Sequence, residues 1–238
     1  MALDSIAEAS PVIRDYLLYM QTVKGKSVKT VDEYFTDIRT FFRFIKTKRG
    51  IVSASTPFED IKVDDVDIAL IKTITLQDSY EFMNYLMRDR SNNASTRARK
   101  TSSLKSFFNY LTVKKHLLDS DPIKELETPK RKRALPKYLT LEQSIELLNA
   151  VDGKHKERDY CILTLFLNCG MRLSELVGLN VTDIRSDGTA RILGKGNKER
   201  IIYLNQACVN AIEEYLKVRP MDNVVDRNAL FISGHLKR

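Results

Sequence analysis

The sequence predicts a mainly α-helical fold, in which a small helical bundle is followed by a mixed, mainly helical domain with a small antiparallel sheet. Three observations predict it. Apolar residues in the first half of the 238-residue chain recur at helical spacing. Prolines then interrupt this pattern between residues 119 and 137. Farther along the chain, two strand-like runs flank a glycine-containing turn, as in a β-hairpin.

The first half is expected to form four helices, with an irregular stretch at residues 49–74. Ser27 and Thr30 are candidate caps of the second helix. Thr75 and Asp78 have the spacing of a capping box at the start of the third helix. Their apolar positions repeat every three or four residues, and the predicted helices cover residues 12–20, 31–45, 76–86 and 95–113.

The second half is expected to begin with a helix after Thr140 and to continue with an apolar helix that Gly170 ends. A short helix follows this glycine, and a final helix covers residues 207–218. Residues 229–232 are expected to start a further element. The predicted strands cover residues 183–185, 189–193 and 199–204.

The proline-containing stretch predicts a domain boundary. We expect a first domain at residues 1–117, a basic linker at 118–137 and a second domain at 138–238. The run PKRKR within the linker has three interpretations: a solvated linker, a nuclear-import signal, or a basic strap across DNA phosphates.

Composition narrows the function classes. The chain carries a net charge of +8, which favours an anionic partner such as nucleic acid but also suits an ordinary basic protein. The sequence has neither a long apolar run nor a signal-peptide pattern, which argues against membrane and secreted proteins. Cys161, Cys169 and Cys208 are expected to be reduced thiols of a cytoplasmic protein. No metal site and no cofactor are predicted, because no His, Cys and carboxylate cluster has metal-ligand spacing.

Arg172 is the first candidate for chemistry. It follows the predicted helix break at Gly170, and its guanidinium offers two directed donors that suit two phosphate oxygens. Glu175 lies one helical turn later and is expected to fix the arginine or its hydrogen-bond network. The alternative is an ordinary surface ion pair at i, i+3 spacing.

Lys195 is the second candidate. The sequence GKGN predicts a hairpin turn, and a lysine at its tip can reach a DNA groove and donate a proton or pair with a phosphate. Lys198 and Arg200 follow and are expected to contact DNA as well. The alternative is a solvated loop, because Gly and Lys are common in turns.

A basic helix is the third candidate. Its positive residues are opposed only by Asp89, and its polar face is suited to a DNA backbone or groove, although a solvated charged face is the usual alternative. The residues expected to bind DNA are Arg97, Arg99, Lys100 and Lys105, within a set that also holds Arg88, Arg90, Lys114 and Lys115.

The order of these parts resembles the tyrosine recombinases, or phage integrase family, and most closely their Xer-type members. The segments KSVKTVDEYFTDIRTFFRFI at 26–45 and STRARKTSSLKSFFNYL at 95–111 resemble its SAM-like core-binding domain. CGMRLSELVGLNVTDI at 169–184 is similar to its first arginine motif, and GKGNKERIIYL at 194–204 to its hairpin lysine motif. The resemblance implies a four-helix SAM-like domain followed by part of an α+β catalytic domain.

The resemblance also implies roles for single residues. Arg172 matches the arginine that binds the scissile phosphate and stabilises the transition state, with Glu175 in support. Lys195 matches the lysine that protonates the leaving 5′ oxygen. In the family a tyrosine attacks the phosphate and forms a 3′-phosphotyrosyl link without metal or ATP, and strands are exchanged within a tetramer on double-stranded DNA.

The chain departs from the family pattern in one respect. The family has a later HxxR motif and a tyrosine nucleophile, and neither is found here: LKR follows His235, Tyr203 is expected in the hairpin core, and Tyr215 on a helix face. We therefore expect part of a recombinase that binds DNA without completing cleavage. The alternatives are a non-enzymatic module that occupies recombination sites and an interaction protein with an incidental basic surface.

Overall fold

The computed structural model describes residues 7–130, 135, 137–194 and 198–238. The chain divides into two compact units, Met1–Ala134 and Leu135–Arg238. Each unit has its own hydrophobic core. The predicted fold class is confirmed, because the described residues are mainly helical and pair two antiparallel strands.

The first unit is a helical bundle. Helices α1 and α5 each continue into a short π-helical turn, at Tyr19–Val23 and Tyr110–Lys114, and residues between α2 and α4 add a short helix to the four that were predicted. The helices are α1 (Pro11–Leu18), α2 (Val28–Lys48), α3 (Ile68–Lys72), α4 (Leu76–Arg88) and α5 (Ala94–Asn109).

Local capping and aromatic packing explain where these helices lie. The Ser27 hydroxyl accepts a hydrogen bond from the backbone N–H of Thr30 and starts α2, and Thr75 and Asp78 form the predicted capping box of α4. In the core, phenylalanine rings from α2, α4 and α5 meet edge to face: Phe41, Phe42, Phe82, Phe107 and Phe108.

The second unit places a two-stranded sheet among helices. The strands are antiparallel, with Thr189 opposite Tyr203 and Leu193 opposite Glu199, so the turn that joins them lies next to Leu193 and Glu199. Helix α7 packs against α9 around buried Cys161, Leu165 and Ile212. The elements are α6 (Leu141–Asn149), α7 (Lys156–Cys169), α8 (Leu173–Gly178), β1 (Thr189–Leu193), β2 (Glu199–Tyr203) and α9 (Gln206–Val218).

The predicted strand at 183–185 is wrong. Val181–Asp183 forms a 3₁₀ turn, and only Ile184 makes a single bridge, to Ala190. The Asp183 carboxylate accepts the backbone N–H of Asn180 at 2.8 Å, and this local bond favours a turn over an extended strand. Of residues 229–232, Ala229 forms one isolated bridge with Asn180.

None of the described helices combines the length and the apolar character that crossing a membrane requires. The basic run that begins at Lys130 continues through residues 131–133, which lie outside the described residues, and the three interpretations of PKRKR stay predictions.

Candidate functional site

Arg172 is placed by a break between two helices. Helix α7 ends at Cys169, and Gly170 follows in the left-handed region at φ +56°, where a residue with a Cβ is strained. The chain turns there, and Arg172 takes an extended conformation immediately before α8. Its side chain is 70% exposed. The predicted helix break is therefore confirmed, and it presents the guanidinium at the surface of the second unit.

Glu175 lies one turn into α8, and its carboxylate holds two arginines. Its side chain is only 2% exposed. Oε2 accepts the backbone N–H of Arg172 at 2.9 Å, and Oε1 accepts Nη1 of the same arginine at 2.8 Å. From β2, Arg200 donates Nη1 to Oε1 at 2.8 Å and Nη2 to Oε2 at 2.9 Å. The expected Arg172–Glu175 contact is thus present within a larger cluster.

The cluster keeps Glu175 ionised. The hydrogen bonds from Arg200, followed by the one from the backbone N–H of Arg172, lower the pKa of the Glu175 carboxyl to about 2. The same carboxylate raises the pKa of the Arg200 guanidinium. One negative and two positive charges remain at neutral pH, so the cluster has a net charge of +1, which suits an anion.

The residues that flank the hairpin turn lie close to the Glu175 carboxylate. The backbone N–H of Gly194 donates to the carbonyl oxygen of Lys198 at 2.8 Å. A Cβ added at Gly194 would lie 3.4 Å from Glu175 Oε1. Lys198 is exposed, as a DNA contact requires. Lys195, the predicted proton donor, lies outside the described residues.

The structure gives Arg200 a carboxylate partner, while its predicted contact with DNA stays a prediction. We expected Arg200 to contact DNA, but both of its Nη atoms are engaged by Glu175. The sequence did not suggest the contact, because 25 residues separate the two side chains. One signal was available. The resemblance implies that the arginine motif and the hairpin motif both act at one phosphate, although it does not say which of their residues pair.

The basic face of α5 is partly used inside the first unit. Asp37 on α2 is fully buried and accepts Lys100 Nζ at 2.9 Å, Arg99 Nη1 at 2.5 Å and Ser103 Oγ at 2.7 Å. Lys100 is itself buried and its ammonium is paired with Asp37, which argues against the predicted DNA contact. Arg99 keeps a side chain that is 42% exposed.

Asp37 was missed at the sequence level, although a signal was present. It lies one residue before Ile38 on the apolar stripe of α2, where an acidic residue requires a buried partner.

Two other residues predicted to contact DNA donate hydrogen bonds to backbone carbonyls: Arg97 Nη1 donates to Asn92 O at 2.6 Å, and Lys105 Nζ to Lys124 O at 3.0 Å. Both side chains remain partly exposed.

Of the two tyrosines, Tyr203 differs from its expected position in the hairpin core, whereas Tyr215 lies on a helix face as expected. Tyr203 is 85% exposed, because strand alternation turns it to the outer face of β2. Tyr215 is buried, and its hydroxyl accepts the backbone N–H of Ile232 at 3.1 Å. It lies on the inner stripe of α9 with Cys208, Ala211 and Ile212.

Within the part of the chain that the structure describes, no three His, Cys, Asp or Glu side chains are grouped as metal ligands would be. Cys161, Cys169 and Cys208 are free thiols, and the sulfur atoms of Cys169 and Cys208 lie 3.7 Å apart.

Comparison with known proteins matches both halves of the chain. The model of the Phage integrase family matches residues 137–238, and that of the Phage integrase, N-terminal SAM-like domain matches residues 13–115. A tyrosine recombinase XerC from Caldanaerobacter subterraneus subsp. tengcongensis is 50% identical over 228 residues. That alignment covers 96% of this chain and 64% of the relative, so the chain spans less than two thirds of the relative's length.

A second tyrosine recombinase XerC, from Thermodesulfovibrio yellowstonii, is 31% identical over 234 residues, which are 95% of this chain and 70% of that relative. Among solved structures, a lambda integrase dimer bound to a COC′ core site has a TM-score of 0.66 at 14% identity, covering 95% of this chain and 73% of that one. This likeness shows a shared fold. The sequence matches over both halves show that the chain belongs to the tyrosine recombinase, or phage integrase, family.

Proposed function

We propose that this chain is part of a site-specific recombinase that cleaves and rejoins double-stranded DNA through a 3′-phosphotyrosyl intermediate. The observation that carries the proposal is the arginine cluster: exposed Arg172 is anchored by the buried carboxylate of Glu175, which Arg200 shares. A surface ion pair at i, i+3 spacing would not need a buried carboxylate with four donors. The family relationship supports DNA as the substrate.

In this proposal Arg172 binds the scissile phosphate. Its guanidinium provides directed N–H donors, and the contact with Glu175 fixes one end of it before DNA arrives. Charge builds up on the non-bridging oxygens as the phosphorus becomes pentacovalent, and a prepositioned cation stabilises that state more than the ground state. Lys195 is the proposed general acid for the leaving 5′ oxygen, and Lys198 is proposed to contact the DNA backbone beside it.

We propose further that the residues of this chain supply phosphate binding without the nucleophile. Tyr215 is buried, and its hydroxyl is engaged by Ile232. Tyr203 pairs with Thr189 at the end of the sheet away from the turn, about 13 Å along β2 from Glu199. The buried position of Tyr215 does not suit attack on a phosphate held by Arg172, and we propose no nucleophilic role for Tyr203.

The first unit is proposed to bind duplex DNA through the partly exposed cations of α5, namely Arg97, Arg99 and Lys105. The whole protein is proposed to work as a tetramer on DNA in the cytoplasm. A non-enzymatic module that occupies recombination sites is the second candidate. The net charge of +8 and the unassigned nucleophile favour it.

A nicked duplex that traps covalent intermediates tests the proposal. We expect the chain to bind the duplex, with affinity that falls steeply as salt rises, and to form no covalent adduct. Absence of binding at moderate salt would refute a DNA-directed function. A robust adduct would refute the claim that these residues lack the nucleophile, and mapping the modified tyrosine would identify it.

A further inference from the structure

Arg200 engages Glu175 differently from Arg172. Its Nη1 and Nη2 bind both carboxylate oxygens in an end-on fork, at 2.8 and 2.9 Å. Arg172 reaches the same carboxylate through one guanidinium nitrogen and its backbone N–H. A carboxylate offers about four lone-pair sites, and these four hydrogen bonds fill them. Both arginines therefore bind one carboxylate, and the acceptor sites that Arg200 occupies are not open to Arg172.

Removing Arg200 would change what Arg172 does. Two acceptor sites on Glu175 would open, and the guanidinium of Arg172 could then turn onto both oxygens in its own bidentate fork. The net charge of the cluster would fall from +1 to zero. Guanidinium N–H groups of Arg172 that can now bind a phosphate would instead donate to the carboxylate. A phosphodiester bound there would then face the neutral Arg172–Glu175 ion pair and no longer a net positive charge.

Arg200 also fixes the hairpin relative to α8. It is the second residue of β2, and Gly194, on the other side of the turn, approaches Glu175 so closely that a Cβ there would lie 3.4 Å from Oε1 and 3.3 Å from Lys198 O. Both sides of the turn thus meet the carboxylate that anchors Arg172.

We propose that Arg200 is a positioning residue: by occupying both oxygens of Glu175 it keeps Arg172 on a single-nitrogen contact, directed at a DNA phosphate, and holds the hairpin in register with it. The inference rests on the proposed function, in which Arg172 binds that phosphate. It replaces the expectation that Arg200 itself contacts DNA.

Arg191 provides a matched control. It lies on the neighbouring strand β1, its side chain is 44% exposed against 40% for Arg200, and it also pairs with a nearly buried carboxylate, Asp183, at 2.8 Å. Arg191→Ala therefore removes a similar arginine from the same sheet while leaving the Glu175 cluster in place.

The experiment is a double-mutant cycle on binding of a fluorescent duplex, with Arg172→Ala, Arg200→Ala and the double variant. Arg200→Ala should weaken binding roughly tenfold, the size of one charge-assisted hydrogen bond. In the Arg172→Ala background it should have almost no effect. Arg200→Lys should fail to restore binding, because an ammonium cannot form the fork. Arg191→Ala should bind like the unaltered chain. If Arg200→Ala does not fold, Arg200→Lys takes its place in the cycle.

An NMR titration of the Glu175 carboxyl, without DNA, separates the two proposals. In Arg200→Ala its pKa should stay below the ordinary value, because a fork from Arg172 replaces the fork from Arg200, and it should rise toward that value only in the double variant; in Arg191→Ala it should stay at about 2. If the unaltered chain does not bind DNA, the proposed function fails while this titration still reports on Arg200. Equal losses of binding in both backgrounds would make Arg200 a direct phosphate contact, and no loss of binding in Arg200→Ala, or a Glu175 pKa that is the same in Arg200→Ala and in the double variant, would refute the positioning role.

Discussion

Glu175 is the residue on which the candidate site depends. It is a carboxylate with a side chain only 2% exposed, and it joins the arginine before α8 to the arginine of β2. A buried charge of this kind is stable only while its partners remain. The acid range should therefore reveal its contribution to folding.

The pH dependence of stability has a defined sign. The folded-state pKa of Glu175, about 2, lies below the ordinary value of 4.5, so its stabilising contribution is complete above pH 4.5 and is lost as the pH falls toward 2. We expect the difference in the free energy of unfolding between the unaltered chain and Glu175→Gln to shrink over that window. Urea unfolding at several pH values measures it. A difference that stays constant across the window would contradict the Glu175 geometry.

The cysteines give a second prediction for single residues. Burial raises the pKa of Cys161 and of Cys208 to about 12, and it also raises that of Cys169. The thiolate is the reactive form, so all three should react slowly with a thiol reagent in the folded protein at neutral pH. The same reagent should label all three quickly after denaturation. Fast labelling of Cys161 or Cys208 in the folded protein would contradict their burial.

For single residues, the sequence predicted side-chain contacts between residues close in the chain and missed contacts between residues far apart in it. Arg172 and Glu175 are three residues apart, so helical spacing alone predicted their contact. Arg200 reaches Glu175 only because the hairpin folds back onto α8, and Lys100 reaches Asp37 across 63 residues. Such pairs are fixed by tertiary packing, which neither periodicity nor composition encodes.

Among the elements, the contact between α2 and α5 shows how a basic helix is held in its bundle. Asp37 on α2 is buried and receives Arg99, Lys100 and Ser103 from α5. Removing one partner from a buried ion pair leaves uncompensated charge, which costs more than an exposed pair contributes.

Asp37→Ala should accordingly destabilise the first unit by about 3 kcal/mol. Glu33→Ala is the control, because Glu33 lies on the same helix and is exposed, and it should change stability by less than about 0.5 kcal/mol. Denaturant unfolding of both variants measures the difference. Equal effects would show that Asp37 does not join α2 to α5.

The break between α7 and α8 gives the second prediction at this scale. Gly170 has φ +56°, and an alanine in the left-handed region costs about 1 kcal/mol. Gly170→Ala should therefore lower stability by about that amount. Gly178→Ala is the control, because Gly178 lies in α8 and an added Cβ meets nothing within 4 Å; it should leave stability unchanged or raise it by about 0.5 kcal/mol. A neutral Gly170→Ala would contradict the conformation that sets Arg172.

The elements were predicted well where a local signal starts or stops them. Thr75 with Asp78, Thr140 with Gln143, and Gly170 all mark the helix ends that the structure has. The strand predicted at 183–185 failed because the side chain of Asp183 bonds the backbone of Asn180, a competition that strand propensity does not include.

The whole molecule is a basic chain that we propose binds one phosphodiester at a specific site. The net charge of +8 supplies general attraction to DNA, and that attraction carries little information about where the phosphate binds. The specific contribution is proposed to come from Arg172, which Glu175 anchors and which contacts a phosphate directly. Salt dependence separates the two contributions, because each phosphate contact adds a fixed increment to the slope.

The most direct measurement is therefore the salt dependence of duplex binding by the unaltered chain, Arg172→Ala and the control Arg191→Ala. Loss of one phosphate contact should lower the slope of log affinity against log salt by about 0.9. We expect that reduction, with weaker binding, for Arg172→Ala and an unchanged slope for Arg191→Ala. An Arg172→Ala variant that keeps both the affinity and the slope of the unaltered chain would contradict the proposed phosphate contact.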